Sequence, residues 1–96
     1  MRFEWDEDKA ANNFRKHGVE FEMAVEAFDD PFSQITSDRV EWGEERFRLT
    51  GLARGQILVV VHVIRQYDEE SGEDYVRIIS ARRADRQERR DFERGT

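Results

Sequence analysis

Arginines lie inside and directly after an apolar segment late in this 96-residue sequence. Arg77 interrupts the run that begins at Tyr75, and Arg82 and Arg83 follow the run at once. A guanidinium is always charged and donates hydrogen bonds from a planar fork, so it can grip a phosphate group at two points. The pattern therefore predicts a local site for a phosphate-rich partner near this segment.

A second group of candidate residues follows a helical spacing near the start of the sequence. Lys9, Asn13 and His17 stand at i, i+4 and i+8, which places them on one face of a helix. His17 is the side chain best suited to exchange a proton near neutral pH, and His62 is the second. A solvated polar stripe, in which Asp6 pairs with Lys9, is the alternative interpretation, and the spacing alone leaves both open.

Strand alternation sorts the remaining candidates between two faces. It predicts that Arg65 shares a face with Val63, and that Arg77 shares a face with Ile79 and Ala81, which leaves Ser80 and Arg82 on the opposite face. If the two strands form a hairpin, Arg65 and Arg77 project from the same end of the sheet. The alternative is that these two arginines pair with acids of the intervening turn, which are Asp68, Glu69, Glu70, Glu73 and Asp74.

Charge is distributed unevenly. The net charge is -6 and the pI is about 4.9, which disfavours direct binding to nucleic acid. Residues 75–96 nevertheless hold seven arginines against four acids, whereas residues 1–74 hold nine basic residues against eighteen acids. A basic site is therefore compatible with an acidic chain, although a mixed-charge helix late in the sequence is also typical of a solvated face.

Size and composition predict a single small domain over residues 1–96. The sequence contains no cysteine and no apolar stretch of membrane-spanning length, so we expect a soluble cytoplasmic protein. Thiolate metal sites are excluded, and His17, His62 and the carboxylates show no spacing typical of metal ligands. We therefore expect neither a metal nor a cofactor.

The first third of the sequence predicts a strand and two helices. An edge strand is expected over residues 1–5, followed by a helix over residues 7–17 with Asp6 as its amino-terminal cap and Gly18 as its end. A second helix is expected over residues 21–28, ended by the Asp-Asp-Pro sequence at 29–31. The residues expected to form the buried side of the first helix and of the turn after it are Ala10, Phe14, Val19 and Phe21.

The period then changes to that of strands. Strands are expected over residues 32–37, 45–52, 56–65 and 75–81, with a loop at 38–44, a short hairpin connection at 53–55, an acidic turn at 67–74 and a last helix over 85–94. The strand at 56–65 is apolar on both faces and should be central. The sequence therefore predicts an α+β fold in which two N-terminal helices and a C-terminal helix pack on an antiparallel sheet.

Two separated motifs resemble the BrnT family of type II toxins. The first comprises residues 3–9 (FEWDEDK), Asn13, residues 16–19 (KHGV) and Phe21. The second comprises Glu45-Arg46, residues 58–61 (LVVV), Arg65, residues 77–84 (RIISARRA) and Glu88-Arg89. The motif residues carried over to this sequence are Trp5, Asp6, Lys9, Asn13, His17, Arg65, Arg77, Ser80 and Arg82. The sequence departs from the family at Val63, where a threonine is common, and in its longer, more acidic turn at 67–74.

The resemblance implies a RelE-like fold and a metal-independent ribonuclease that cleaves RNA and inhibits translation. It also implies a BrnA-type antitoxin with a ribbon-helix-helix domain. Operator DNA would be contacted only through this antitoxin, and no membrane partner is expected. On this hypothesis the catalytic residues are His17, Lys9, Arg65, Arg77 and Arg82, of which His17 is the main candidate for proton transfer and the arginines stabilise the pentacovalent phosphate. The residues expected to contact substrate are Asn13, His62, Ser80 and Arg83.

Two other functions are compatible with the same residues. In the first, the basic strand and helix form a protein-interaction module that docks an acidic partner without catalysis. In the second, the chain binds DNA directly; this function is disfavoured by the net charge and by the lack of a recognisable DNA-binding motif.

Overall fold

The computed structural model describes residues 1–95, without the side chains of residues 66–68. The described part has the expected order β-α-α-β-β-β-β-α. Its elements are β1 (Arg2–Glu4), α1 (Glu7–His17), α2 (Phe21–Ala27), β2 (Gln34–Glu41), β3 (Glu44–Ala53), β4 (Gln56–Asp68), β5 (Glu73–Arg83) and α3 (Arg86–Arg94).

The five described strands form one sheet in the order β1-β5-β4-β3-β2. β4 is central, as its two apolar faces predict, and Leu58, Val59 and Val60 are at most 1% exposed. β2 to β5 are antiparallel, but β1 pairs with β5 in parallel, so the prediction of a purely antiparallel sheet was wrong. A three-residue strand carries no sequence signal for the direction of its partner. α1 and α2 carry the chain across one face of the sheet, from β1 at one edge to β2 at the other. The chain then returns through β3 and β4 to β5, which runs parallel to β1.

The turns between strands are tighter than the sequence predicts. β2 extends to Glu41 and β3 begins at Glu44, so the predicted loop at 38–44 is a two-residue turn. Trp42 and Gly43 both have positive φ, at 54° and 77°, as this class of hairpin turn requires. The acidic turn at 67–74 likewise shortens to four residues, because charged side chains on the rim of a hairpin stay solvated and do not interrupt the ladder.

Capping residues set the ends of the helices. Asp6 Oδ1 accepts hydrogen bonds from the backbone amides of Asp8 and Lys9, and Gly18 ends α1 in the left-handed conformation at φ 69°, both as predicted. Asp85 and Glu88 cap α3 reciprocally. No helix among residues 1–95 is long and apolar enough to cross a membrane.

The helices cover the two faces of the sheet differently. α1 and α2 pack on one face, where Phe21, Leu49 and Ile78 belong to the main core and are at most 1% exposed. α3 packs on the opposite face, where its Phe92 is buried. We call this second face the arginine face, because Arg77 and Arg82 lie on it. The side chains of Arg77 and Arg82 on this face remain partly accessible, at 30% and 39% exposure.

Asn13 fastens α1 to the sheet. β1 pairs with β5 only at Tyr75, Val76 and Arg77, so the edge of β5 beyond Arg77 has no neighbouring strand. The Asn13 side chain takes that place, donating to Ala81 O at 2.8 Å and accepting from Ala81 N at 3.1 Å. The expected burial of Phe14 was wrong, since Phe14 is 49% exposed and Asn13 only 7%. The side chain of α1 that faces the sheet is therefore the Asn13 amide, which pairs with the backbone of Ala81 as a neighbouring strand would.

Candidate active site

A bulge at Ile79 decides which β5 side chains form the site. Ile78 pairs with His62 and Ser80 pairs with Val61, so Ile79 is an extra residue opposite β4. After this bulge Ser80 and Arg82 return to the face that carries Arg77. The predicted alternation was therefore wrong beyond Ile78, and the bulge brings together arginines that a regular strand would separate.

Two strands supply the cations of the arginine face. β5 contributes Arg77 and Arg82, and β3 contributes Arg46 and Arg48, since Arg48 pairs with Val61 opposite Ser80. The floor between them is formed by the β4 residues Val59, Val61 and Val63. The sequence reasoning missed Arg46 and Arg48 as site residues. The signal for them was the alternation of polar and apolar residues along β3, where Arg46, Arg48 and Thr50 share one side.

Carboxylates hold the β5 arginines in fixed orientations. Arg77 Nη2 donates to Oε1 of Glu44, at the start of β3, at 2.8 Å. Arg82 makes two hydrogen bonds to Glu88 of α3, at 2.7 and 2.9 Å. These hydrogen bonds from Arg82 lower the pKa of Glu88 to about 2, and Arg48 adds a smaller electrostatic contribution. The pairs thus fix the positions of Arg77 and Arg82 before any substrate arrives.

Arg65 lies at the margin of the same face. Its Nη1 is 3.4 Å from Glu4 Oε1, and Glu4 pairs with Arg77 in the β1–β5 ladder. Arg65 and Arg77 therefore lie near the same end of the sheet, as the hairpin predicts. The acidic partners described for Arg65 and Arg77 are Glu4 of β1 and Glu44 of β3; of the acids expected in the turn, the side chain of Asp68 lies outside the described residues.

Two buried guanidinium nitrogens on the arginine face lack hydrogen-bond acceptors. The Nε atoms of Arg46 and Arg77 are buried and have no partner among the described protein atoms, although each side chain also makes an ion pair through its terminal nitrogens. A buried donor without an acceptor costs roughly 1–3 kcal/mol.

A shallow groove between α1 and the free edge of β5 contains the helical stripe. Lys9, Lys16 and His17 line it together with Ser80, and the remaining lining residues are Asn12, Asn13 and Ile79. The structure thus brings Lys9 and His17 together, as their spacing predicts. Because Ser80 faces the same side as Arg77, this groove meets the arginine face at Ser80.

Two other predicted site residues, Asn13 and Arg83, form hydrogen bonds within the fold. Both amide hydrogen bonds of Asn13 to Ala81 lie inside the protein, and its Nδ2 also donates to Val19 O at 3.0 Å. Arg83 donates to Gln56 Oε1 at 2.6 Å and contacts the carbonyl of His17 at 3.3 Å, so it secures the end of α1.

His62 lies on the face of the sheet that α1 and α2 cover, opposite the arginine face. It is 1% exposed and packs between the rings of Phe28 and Phe47, at centroid distances of 4.9 and 6.0 Å. Burial lowers the pKa of His62, which favours its neutral form. Among the residues whose side chains are described, no three His, Asp or Glu side chains converge on a point where they could hold a metal ion.

Comparison with known proteins assigns the chain to a family. No curated protein matches it. A family model described as ribonuclease toxin, BrnT, of type II toxin-antitoxin systems matches residues 5–88, which include β4, β5 and the start of α3. The match spans Lys9, His17 and the arginine face, and a type II system pairs such a toxin with a protein antitoxin and an RNA target. The chain therefore belongs to the BrnT family of ribonuclease toxins.

Proposed function

We propose that this toxin is a metal-independent endoribonuclease whose active site is the arginine face beside Ser80. The observation that carries the proposal is the convergence of Arg46, Arg77 and Arg82 on one face of the sheet. A phosphate under attack by a ribose 2′-hydroxyl gains negative charge on its oxygens. Fixed guanidinium donors stabilise that charge more in the transition state than in the bound substrate.

Proton transfer is assigned to the groove that adjoins Ser80. His17 accepts the proton of the 2′-hydroxyl or supplies one to the leaving oxygen, and Lys9 serves as a further cation or acid. The support for this assignment is that both side chains share a groove with Ser80. In this proposal three predicted substrate-binding residues have structural roles instead, because their polar groups make hydrogen bonds within the fold; they are Asn13, His62 and Arg83.

Cleavage of RNA by the purified, antitoxin-free protein tests the proposal. We expect strand scission in the presence of a chelator, because the cations that stabilise the phosphate are arginines. Arg77→Ala should reduce the rate at least tenfold, whereas Arg90→Ala removes one charge from the exposed surface of α3 and should leave the rate unchanged. A requirement for added divalent ions would overturn the metal-free mechanism.

A non-catalytic interaction module remains the alternative, and one observation favours it. Arg65, Arg77 and Arg82 each have a carboxylate partner, so the cluster is partly neutralised without a ligand. The same assay separates the two functions. An interaction module would bind RNA or an acidic protein but would cleave no RNA at any enzyme concentration.

The proposal extends to the partners of the toxin. We assign it a RelE-like fold, a cytoplasmic location, a BrnA-type antitoxin with a ribbon-helix-helix domain, and an RNA target whose cleavage inhibits translation. The antitoxin inhibits by covering Arg65, Arg77 and Arg82 with acidic groups, and it alone contacts operator DNA. The net charge of -6 supports the last point, since the toxin itself is repelled by DNA.

An antitoxin-binding measurement tests this covering model. Arg77→Glu should weaken both RNA cleavage and antitoxin binding, since a buried charge left without its partner costs roughly 3–5 kcal/mol. Unchanged affinity of Arg77→Glu for the antitoxin would show that inhibition occurs at another surface.

A further inference from the structure

A second polar groove on the arginine face lies between α3 and the β2–β3 pair. The strands contribute Arg48 with two hydroxyl neighbours, Thr36 and Thr50. The helix contributes Glu88 and Asp91, with Phe92 also lining the groove. We call it the Arg48 groove. It adjoins the proposed active site, because Glu88 both lines it and holds Arg82 through two hydrogen bonds.

Arg48 differs from the other arginines of this face. Within the part of the chain whose side chains are described, Arg46, Arg65, Arg77 and Arg82 each have a carboxylate within 4 Å, and Arg48 has neither an ion pair nor a hydrogen bond. Arg48 is nevertheless partly buried, and its charge contributes to the low pKa of Glu88. Its planar set of donors is therefore free to bind a ligand that enters the groove.

The charges of the groove favour a nucleobase over a phosphate. Arg48 faces the carboxylate of Asp91, and the charge of Glu88 is balanced by Arg82, so the groove has no excess of positive charge that would hold a phosphate. Glu88 is committed to Arg82, but the carboxylate of Asp91 accepts only one hydrogen bond among the described residues, from Gln87 to Oδ1 at 3.0 Å, and its second oxygen is available. The groove thus offers a forked donor on one side and a carboxylate acceptor on the other.

We propose that the Arg48 groove binds a guanine base of the RNA next to the cleaved phosphate; this inference rests on the proposed ribonuclease function. Guanine presents two adjacent acceptors, N7 and O6, which match the fork of an arginine. It also presents N1–H and an amino group, which a carboxylate such as Asp91 accepts. Adenine places a donor where guanine has O6, and so it opposes Arg48. Single-stranded RNA exposes both edges of its bases for this kind of recognition.

Binding of non-cleavable RNA tests the inference without requiring turnover. The probes are short 2′-O-methyl oligonucleotides that differ at one position, which is guanine, 7-deazaguanine, inosine or adenine, and their affinities are measured by fluorescence anisotropy. The parent protein should bind the guanine probe roughly 5- to 150-fold more tightly than the adenine probe. 7-Deazaguanine, which lacks the N7 acceptor, should lose part of this preference.

Variants identify the group that reads the base. Arg48→Ala should abolish the preference for guanine, and Arg48→Lys, which keeps the charge but not the fork, should reduce it. Arg90→Ala is the matched control, since it removes the same charge from α3 outside the groove, and it should keep the preference. Thermal melting of each variant confirms that it is folded; if Arg48→Ala does not fold, Arg48→Lys decides the question.

The outcomes separate this inference from the proposed function. Equal affinity of the parent for all four probes, or a guanine preference that survives in both Arg48 variants, would overturn the guanine site. If the parent cleaves ordinary RNA but binds the four probes equally, the ribonuclease function stands and the Arg48 site falls. If it selects guanine through Arg48 yet cleaves no RNA, the base site stands and the ribonuclease proposal falls.

Discussion

Replacement of Asn13 by alanine should destabilise the protein without removing a substrate contact. The Asn13 amide satisfies three buried backbone groups, which are Val19 O, Ala81 O and Ala81 N, at 2.8 to 3.1 Å. Each lost hydrogen bond to a buried group costs about 1 kcal/mol, and more where water does not replace it. We therefore expect Asn13→Ala to lower the free energy of unfolding by about 3 kcal/mol.

For a domain of this size, about 3 kcal/mol corresponds to a fall in Tm of roughly 12–24 °C. Thermal and urea unfolding measure the loss, and ribonuclease activity is measured at a temperature where the variant remains folded. Asn12→Ala is the control, because Asn12 is the neighbouring residue in the same helix and its side chain is exposed; the stability of this variant should change by less than about 0.5 kcal/mol.

Asn13→Asp separates the hydrogen bonds from the shape of the side chain. An ionised aspartate would direct an oxygen at the carbonyls of Val19 and Ala81, so burial and repulsion should raise its pKa in the folded state. A raised folded pKa means that the variant loses stability as the pH rises above the ordinary carboxyl range of about 4.

A loss below about 1 kcal/mol in Asn13→Ala, or lost activity in a fully folded variant, would refute the structural role.

The remaining predictions concern charge, packing and catalysis. Because Arg82 holds the pKa of Glu88 at about 2, this pair should stabilise the fold above pH 4.5 and lose its contribution as the pH falls toward 2. When the free energy of unfolding is measured against pH, Glu88→Gln should not show this loss. Gly51→Ala should lower Tm markedly, since its added carbon would lie 2.6 Å from a backbone carbonyl of α2. His17→Ala and Lys9→Ala should leave Tm nearly unchanged and reduce toxicity to a host cell; unfolding of both variants would contradict the assignment.

The order of elements and the ends of the first helix were predictable from local chemistry. Asp6 can cap only a helix that begins directly after it, and Gly18 adopts the left-handed conformation that ends it. The apolar run of β4 similarly required burial on both faces. Such signals act over a few residues, so the sequence was sufficient to place them.

The composition of the arginine face depended on the tertiary structure. Strict alternation separates Arg77 from Arg82, and only pairing with β4 introduces the bulge at Ile79 that unites them. Register is a property of two strands, because each residue's partner is chosen by the fit of both. The ion pair of Arg77 with Glu44 joins residues 33 positions apart and therefore has no local signal.

The polar residues of α1 show the same division. Spacing placed Lys9, Asn13 and His17 on one side of the helix, and the structure lines one groove with all three. Sequence did not distinguish Asn13 from the other two, since a solvated amide and a buried amide have the same spacing. That distinction arose because β1 is only three residues long and leaves the backbone of Ala81 to be paired by a side chain.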